Sequence, residues 1–218
     1  MPRTITVKGV GKLSLKPDYT VVSLSLKTVN KVYDTAMSKA AEALDALRKA
    51  LVGIGFQKDD LKTSDFNVGI ERDSVRDKDG SYRTVFVGYA VRHQLKLEFD
   101  FDSALLSKTL GAIATCIAEP ELNIQFTVKD KEAVNTALLE SACANAREKA
   151  EILAKASGVA LGALMTIDYN WGELHLYSPT NYEMDTDCMV KACAAPSMDI
   201  EPDDIDVTDS VTFVWEMN

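Results

Sequence analysis

Apolar residues change their spacing several times along the chain, and each change marks an element. In the opening segment Ile5, Val7, Leu13 and Leu15 occupy odd positions, whereas beyond Lys16-Pro17-Asp18 the apolar residues Val22, Leu24 and Leu26 occupy even ones. Alternation with a period of two predicts strands, and the change of phase puts a turn between them. A helix is predicted next, because Tyr33, Met37, Ala40, Leu44, Leu47 and Leu51 recur at spacings of three and four until Gly53 and Gly55 end the pattern. Alternation returns in Phe66, Val68 and Ile70 and breaks at the polar DSVRDKDGS. It resumes with Val85, Val87, Tyr89, Val91, His93, Leu95, Leu97 and Phe99 on one face, which predicts a long hairpin.

Asp102-Ser103 is placed to cap a shorter helix with Leu106, Leu110, Ile113 and Ile117 along one side, and Ile124, Phe126 and Val128 form a further strand. The longest predicted helix runs from about Lys131 to Ser157. It is Ala-rich, carries Glu151 and Lys155 in the favourable i,i+4 order, and stops at Gly158. Met165, Ile167 and Tyr169 read as a strand. Residues 172–204 show no periodicity and read as a long irregular loop, a feature that in compact domains is usually functional. Ile205, Val207, Val211, Phe213 and Trp215 close the chain as a terminal strand. The order predicts an α+β fold, a mixed and largely antiparallel sheet with helices packed on it. It forms one domain over residues 1–218, or two lobes of about 1–100 and 101–218.

The glycine pair in Gly9-Val10-Gly11 raises the question of a phosphate loop. Such a loop needs glycines between a strand and a helix, so that the amides at the helix start face the anion. Here a strand follows. Gly9 and Gly11 are therefore read as a bulge or as a place where another backbone comes close.

Composition narrows the class. Hydrophobic residues make up 46% and charged residues 26% of the 218, near the globular average, so a packed core is available. With 33 acidic against 24 basic residues and a net charge of -9, the surface repels phosphodiesters and no Lys/Arg cluster offers an exception, which argues against nucleic acid as a partner. No apolar run approaches the roughly 20 residues that span a bilayer, and MPRTITVKGVG lacks the apolar segment of a signal peptide. The chain as written reads as cytoplasmic; it reads as periplasmic or secreted if an export signal has been removed. Cys116 and Cys143 fall in helical patterns where small apolar residues belong, and Cys188 and Cys193 fall in the irregular stretch.

Three stretches carry a family likeness: ITVKGVGKLSLKPDYTVVSLSL at the start, VGYAVRHQLKLEF in the centre, and ACANAREKAEILAKASGVALGALMTI from Ala142 to Ile167. Their order and spacing resemble the SIMPL-domain family, which includes bacterial periplasmic immunogenic antigens and a mammalian protein associated with an interleukin-receptor kinase. The likeness continues into PDDIDVTDSVTFVWEM, and its most specific part is the Ala-Arg-x-Lys-Ala-Glu-x-Leu-Ala helix followed by glycine. The resemblance implies a SIMPL-type fold and a bacterial protein, often exported and linked to envelope or stress physiology. It brings no agreed catalytic residue, cofactor or substrate to any numbered position. The missing signal peptide and the two cysteines ahead of the final strand depart from the family pattern.

Candidate chemistry is sparse. A Ser, Cys or Asp nucleophile needs a base within hydrogen-bond reach, and the chain has two histidines. His93 shares the parity of Tyr89, Val91 and Leu95 and reads as a packed residue; His175, in WGELHLYSP, reads as a surface residue or a ligand-binding one. Cys188 and Cys193 read as unpaired thiols, a redox-dependent disulfide or part of a metal site, with His175 the one obvious third ligand where a structural zinc usually takes four. Asp199, Glu201, Asp203, Asp204 and Asp206 form an acidic run without the glycine of an EF-hand turn and read as a solvated linker. No catalytic residue, cofactor or metal site is nominated.

The expectation is a non-enzymatic protein, stress-related as the resemblance implies, that forms a homo-oligomer and presents a protein-binding surface. Its candidate interface residues are Trp171, Leu174, Leu176, Tyr177, Tyr182, Met184 and Met189, since aromatics and methionine are enriched at interfaces. The alternatives are a thiol-dependent redox protein using Cys188 and Cys193, and a small-molecule carrier.

Overall fold

The computed structural model describes residues 3–77, 80–169, 172, 174–184 and 200–218. Among them are eight strands and three helices: β1 (Arg3–Leu15), β2 (Tyr19–Asn30), α1 (Tyr33–Val52), β3 (Leu61–Arg76), β4 (Tyr82–Asp100), α2 (Ser103–Ala114), β5 (Glu121–Thr127), α3 (Lys131–Ala156), β6 (Leu161–Asp168), β7 (Tyr177–Met184) and β8 (Ile205–Met217). The fold is α+β. One sheet has the order β1-β8-β6 and the other β3-β4-β2-β5-β7. The pairs β1–β8, β6–β8, β2–β4 and β3–β4 are antiparallel.

The chain divides into two units. Met1–Asp18, Thr127–Pro179 and Pro202–Asn218 form the first, and Tyr19–Phe126 with Thr180–Glu201 form the second. The turn at Lys16-Pro17-Asp18 therefore passes the chain from one sheet to the other. It does not close a hairpin: β1 pairs with β8, from Arg3↔Met217 to Leu15↔Ile205, and β2 pairs with β4.

In the first unit α3 lies on the β1-β8-β6 sheet. Its Ala142, Ala146, Ala150 and Ala154 repeat every four residues on one face and are buried, Ala142 and Ala146 packing with Val7, Val211, Phe213 and Trp215. Residues this small allow a close backbone approach, and the strand opposite supplies glycines. A β-carbon at Gly9 would lie 2.7 Å from Ala146 Cβ and would overlap Ala142 O, and one at Gly11 would lie 3.1 Å from Ala142 N and overlap Leu138 O. The glycine pair is the seat of a helix, as the strand-then-strand pattern suggested. Asp130 caps α3 by accepting from Ala133 N–H at 2.9 Å.

In the second unit Val22, Leu24 and Leu26 of β2 and Leu95, Leu97 and Phe99 of β4 share a core with Leu47 and Leu51 of α1, Leu106, Leu110 and Ile113 of α2, and Leu122, Ile124 and Phe126 of β5. Each large side chain fully buried there contributes about 1.5–3 kcal/mol. Asp102 caps α2, accepting from Ala104 N–H at 2.8 Å and Leu105 N–H at 3.1 Å.

Three local expectations need correction. Ile117 does not extend the apolar side of α2: the helix ends at Ala114, Thr115 Oγ1 donates to the carbonyls of Gly111 and Ala112, Cys116 takes the core position, and Ile117 is 90% exposed. The polar DSVRDKDGS does not end the strand at Asp73; β3 runs to Arg76, and the turn closes through Asp77 N–H to Ser81 O at 2.8 Å with Gly80 at φ 88°. The stretch from 172 to 204 is not wholly irregular, because residues 177–184 form β7. Its sequence, YSPTNYEM, is too polar to alternate, and its place in the sheet beside β5 defines it as a strand.

Candidate binding surfaces

The long hairpin outruns its own sheet. β2 ends at Asn30, opposite Tyr89, so residues 82–88 of β4 pair with β3 alone and form a two-stranded arm. α1 starts at Tyr33 and covers Val91 with Ala36 and Ala40. Beyond that start the face continues to Tyr89 and Phe86 with no helix over it among the described residues.

On this side of the hairpin Phe66 (48% exposed), Ile70 (50%) and Phe86 (44%) stand about half exposed, with Tyr33 (47%) at the helix end, while Val68 between Phe66 and Ile70 packs with Ala36 and Ala40 of α1. Their positions follow from register: Phe66 is opposite His93 and Ile70 opposite Tyr89. A bulge between Glu71 and Arg72 leaves Val87 unopposed and brings Phe86 onto the same face as Tyr89, so Val85, opposite Asp73, lies on the other face and not with Tyr89 as the alternation predicts. Tyr89 meets both Phe86 and Tyr33 edge to face at 5.6 Å, and Arg76 stands over the Tyr82 ring at 6.0 Å near the tip.

On the opposite face Glu71 accepts from Lys27 at 2.8 Å and from Arg92 at 2.5 Å, tying β3 to β2 across β4. The hydrogen bond from Lys27 and the two nearby positive charges outweigh desolvation and hold its carboxyl below the ordinary range. His93 is buried, bonded through Nε2 to Thr63 Oγ1 at 2.8 Å and set against the edge of Phe66. Burial, and secondarily the Arg48 charge, push its pKa below the ordinary 6.5. It packs as its parity suggested.

In the first unit, Cys143, Arg147 and Glu151 of α3 face Leu161, Gly162 and Leu164 of β6 and Phe213 and Trp215 of β8 across a groove of about 420 Å³. Arg147 and Glu151 pair at 3.0 Å along the helix, and the Phe213 and Trp215 rings stack at 5.2 Å. Cys143 is exposed, off the buried alanine stripe, whereas Cys116 is buried. In the second unit a polar groove of about 220 Å³ is lined by Ser23, Ser25, Gln94, Glu121, Asn123 and Glu183. There Gln94 donates to Ser25 Oγ at 3.1 Å, and Asn123 donates to Asn181 and Glu183, each at 3.1 Å.

The residues singled out from the irregular stretch are dispersed. Leu176 is buried with Val128, Val134, Leu138, Ile205 and Val207, and half-buried Leu174 packs on the same cluster. Tyr177 is half-buried, with Lys131 Nζ 5.1 Å from its ring centroid and the exposed His175 ring at 5.3 Å. Tyr182 packs on the core of the second unit, and Met184 ends β7. Trp171, Met189, Cys188 and Cys193 lie outside the described residues, as does Asp199. Of the acidic run, Asp206 accepts from Ser14 Oγ at 2.6 Å, and the Asp203 carbonyl accepts from Ser178 Oγ at 2.7 Å. Among the described residues no group of three His, Cys, Asp or Glu side chains is placed to hold a metal ion, and no helix is long and apolar enough to cross a membrane.

The arm was missed because Phe66, Ile70 and the β4 alternation look like any half-buried strand pair. The available signal was length: eight alternating positions on β4 against three on β2 leave part of the hairpin with no neighbour.

Two sheets, a glycine-seated alanine helix and a long hairpin define the structural class of this α+β chain. Residues 5–215 match the family model described as SIMPL, protein of unknown function (DUF541), and the chain belongs to that family. It is 28% identical over 166 residues to the 26 kDa periplasmic immunogenic protein of Brucella melitensis biotype 1, covering 76% of this chain and 66% of that protein. The protein of the same name from Brucella abortus strain S19 is 27% identical over the same length and shares. The match thus spans just under two thirds of each relative.

Proposed function

We propose that this SIMPL-family chain works by binding and not by catalysis: it associates with copies of itself and offers an apolar, aromatic surface to protein partners. The observation that carries this is the set of half-exposed apolar side chains along the β3–β4 hairpin and at the start of α1: Phe66, Ile70, Phe86 and Tyr33. Exposed apolar side chains carry a solvation cost that burial against a protein removes, and aromatic side chains give the largest gain per residue. The relatives are named periplasmic, and we extend that location to this chain, with an envelope or stress-related role.

Light scattering on the purified chain tests the proposal. The wild type is expected to have a mass of more than one chain at high micromolar concentration. Phe66→Ser/Phe86→Ser is expected to lower that mass while the circular dichroism stays native. A wild type that is monomeric at every concentration overturns the self-associating reading.

A further inference from the structure

The β1-β8-β6 sheet has two outer edges, and they are treated oppositely. On β1, Val10 N–H donates to Asn145 Oδ1 at 3.0 Å and the Lys8 carbonyl accepts from Lys149 Nζ at 3.2 Å. Side chains of α3 thus occupy backbone groups that an added strand would need, and Arg3, Lys8 and Lys12 place charge along the same edge. The outer strands of the other sheet are guarded too: β3 carries Lys62, Asp65, Glu71, Arg72, Asp73 and Arg76, and β7 carries Pro179.

β6 has none of these guards. From Leu161 to Ile167 it contains no charge and no proline, and every residue from Ala163 to Asp168 is exposed, including Leu164 (47%), Met165 (53%) and Ile167 (57%). Among the described residues no group bonds to the side of its backbone turned away from β8. Irregularities between Leu161 and Leu164 and between Leu164 and Thr166 bend the strand, yet Thr166–Asp168 runs in step with Val214–Thr212. A bend alone is a weak guard when the side chains remain apolar.

We propose that β6 pairs antiparallel with β6 of a second copy, joining two three-stranded sheets into one of order β1-β8-β6-β6-β8-β1; this rests on the self-association proposed above. Charge and symmetry select the occupant. Copies of a chain with net charge -9 repel one another over most of their surface, and the uncharged 161–167 segment is a place where they meet without opposing charges. An antiparallel pair about a two-fold axis perpendicular to the sheet is self-complementary, each strand offering the donors and acceptors the other lacks. Such an axis sets residues of equal parity opposite each other. Met165 has no partner on β8, so the ladder starts on the regular stretch Thr166–Asp168, where a two-fold centred on Ile167 faces Thr166 with Asp168 of the second copy.

Amide hydrogen exchange of the wild type across a concentration series, with light scattering of Leu164→Lys/Ile167→Lys and Thr166→Pro, tests the pairing. The β6 amides are expected to gain protection as concentration rises, and both variants are expected to keep native circular dichroism while the assembly mass falls at least twofold. If the wild type associates but the folded variants keep its mass, the β6 pairing is wrong and self-association through another surface stands. If the wild type is monomeric throughout, both proposals fall. Protection of β6 that is independent of concentration would assign the edge to a segment of the same chain and overturn the inference, whether or not a variant folds.

Discussion

Replacing Gly9 with alanine probes the contact between β1 and α3 with a single added methyl group. Gly9 is not among the glycines with positive φ, so alanine meets no backbone obstacle there and the effect is steric. The new β-carbon lies 2.7 Å from Ala146 Cβ and 3.0 Å from Ala142 C. The Ala142 carbonyl oxygen is closer still, so restoring ordinary separations requires β1 and α3 to part by more than about 1 Å. The alanines that would lose contact are fully buried. Overpacking of this kind costs about 1–3 kcal/mol, and the lower entropy of an unfolded chain with alanine returns about 0.4–1 kcal/mol. Because the tightest obstacle is a backbone carbonyl and not a flexible side chain, the upper end of that range applies, and the net expectation is a loss of about 2 kcal/mol, or a Tm lower by about 4–8 °C. Gly111→Ala is the control: this glycine sits within α2 with nothing within 4 Å of its β-carbon, and alanine there should stabilise by about 0.5–1 kcal/mol. Urea unfolding followed by circular dichroism measures both, and calorimetry with ATP should show no saturable binding at micromolar concentration. A Gly9→Ala variant as stable as the wild type would refute the helix-seat explanation, and saturable nucleotide binding would refute the structural role of the glycine pair.

Other outcomes follow from single contacts. His93 has a folded pKa below its unfolded value, so the unfolded state binds more protons in between; the stability it supports is complete above about pH 6.5 and is lost as pH falls through that value toward the folded pKa. Urea midpoints between pH 5 and 7 should therefore rise with pH in the wild type and rise less in His93→Gln; an unchanged slope would sink the assignment. Asp102→Ala removes the acceptor for two α2 amides and should cost about 1 kcal/mol in the same assay, with Asp102→Asn recovering most of it. A loss below about 0.3 kcal/mol would mean that water replaces the cap.

Legibility in the sequence tracked how local each cause is. The α3 stripe is readable because its alanines recur every four residues, and Gly9 and Gly11 are readable as strand residues because Leu13 and Leu15 keep the alternation going. What holds those glycines in place was not readable: the carbonyls of Leu138 and Ala142 lie more than 120 residues away, and no periodicity links them to β1. β7 has too few apolar positions for a pattern, so its sheet neighbour had to reveal it. The end of α2 turned on a threonine hydroxyl competing for helix carbonyls, a choice that leaves Ile117 in phase but outside. The edge guards on β1 are side chains of a helix far along the chain, and sequence alternation reports faces, not edges.

The pairing of the first strand with the last has a consequence for synthesis. Arg3 is matched with Met217, and the second unit is encoded almost wholly between the segments that form the first. At roughly 5–20 residues per second, β1 waits about 10–40 s for β8 to emerge. Through that interval Ile5, Val7, Leu13 and Leu15 have no sheet to join, while Tyr19–Phe126 can already assemble. β8 is the central strand of its sheet and its 13 residues follow those of both its neighbours, β1 and β6. A ribosome that stops before them leaves β1 and β6 with no strand between them, so a short truncation at the carboxyl end removes the whole three-stranded sheet.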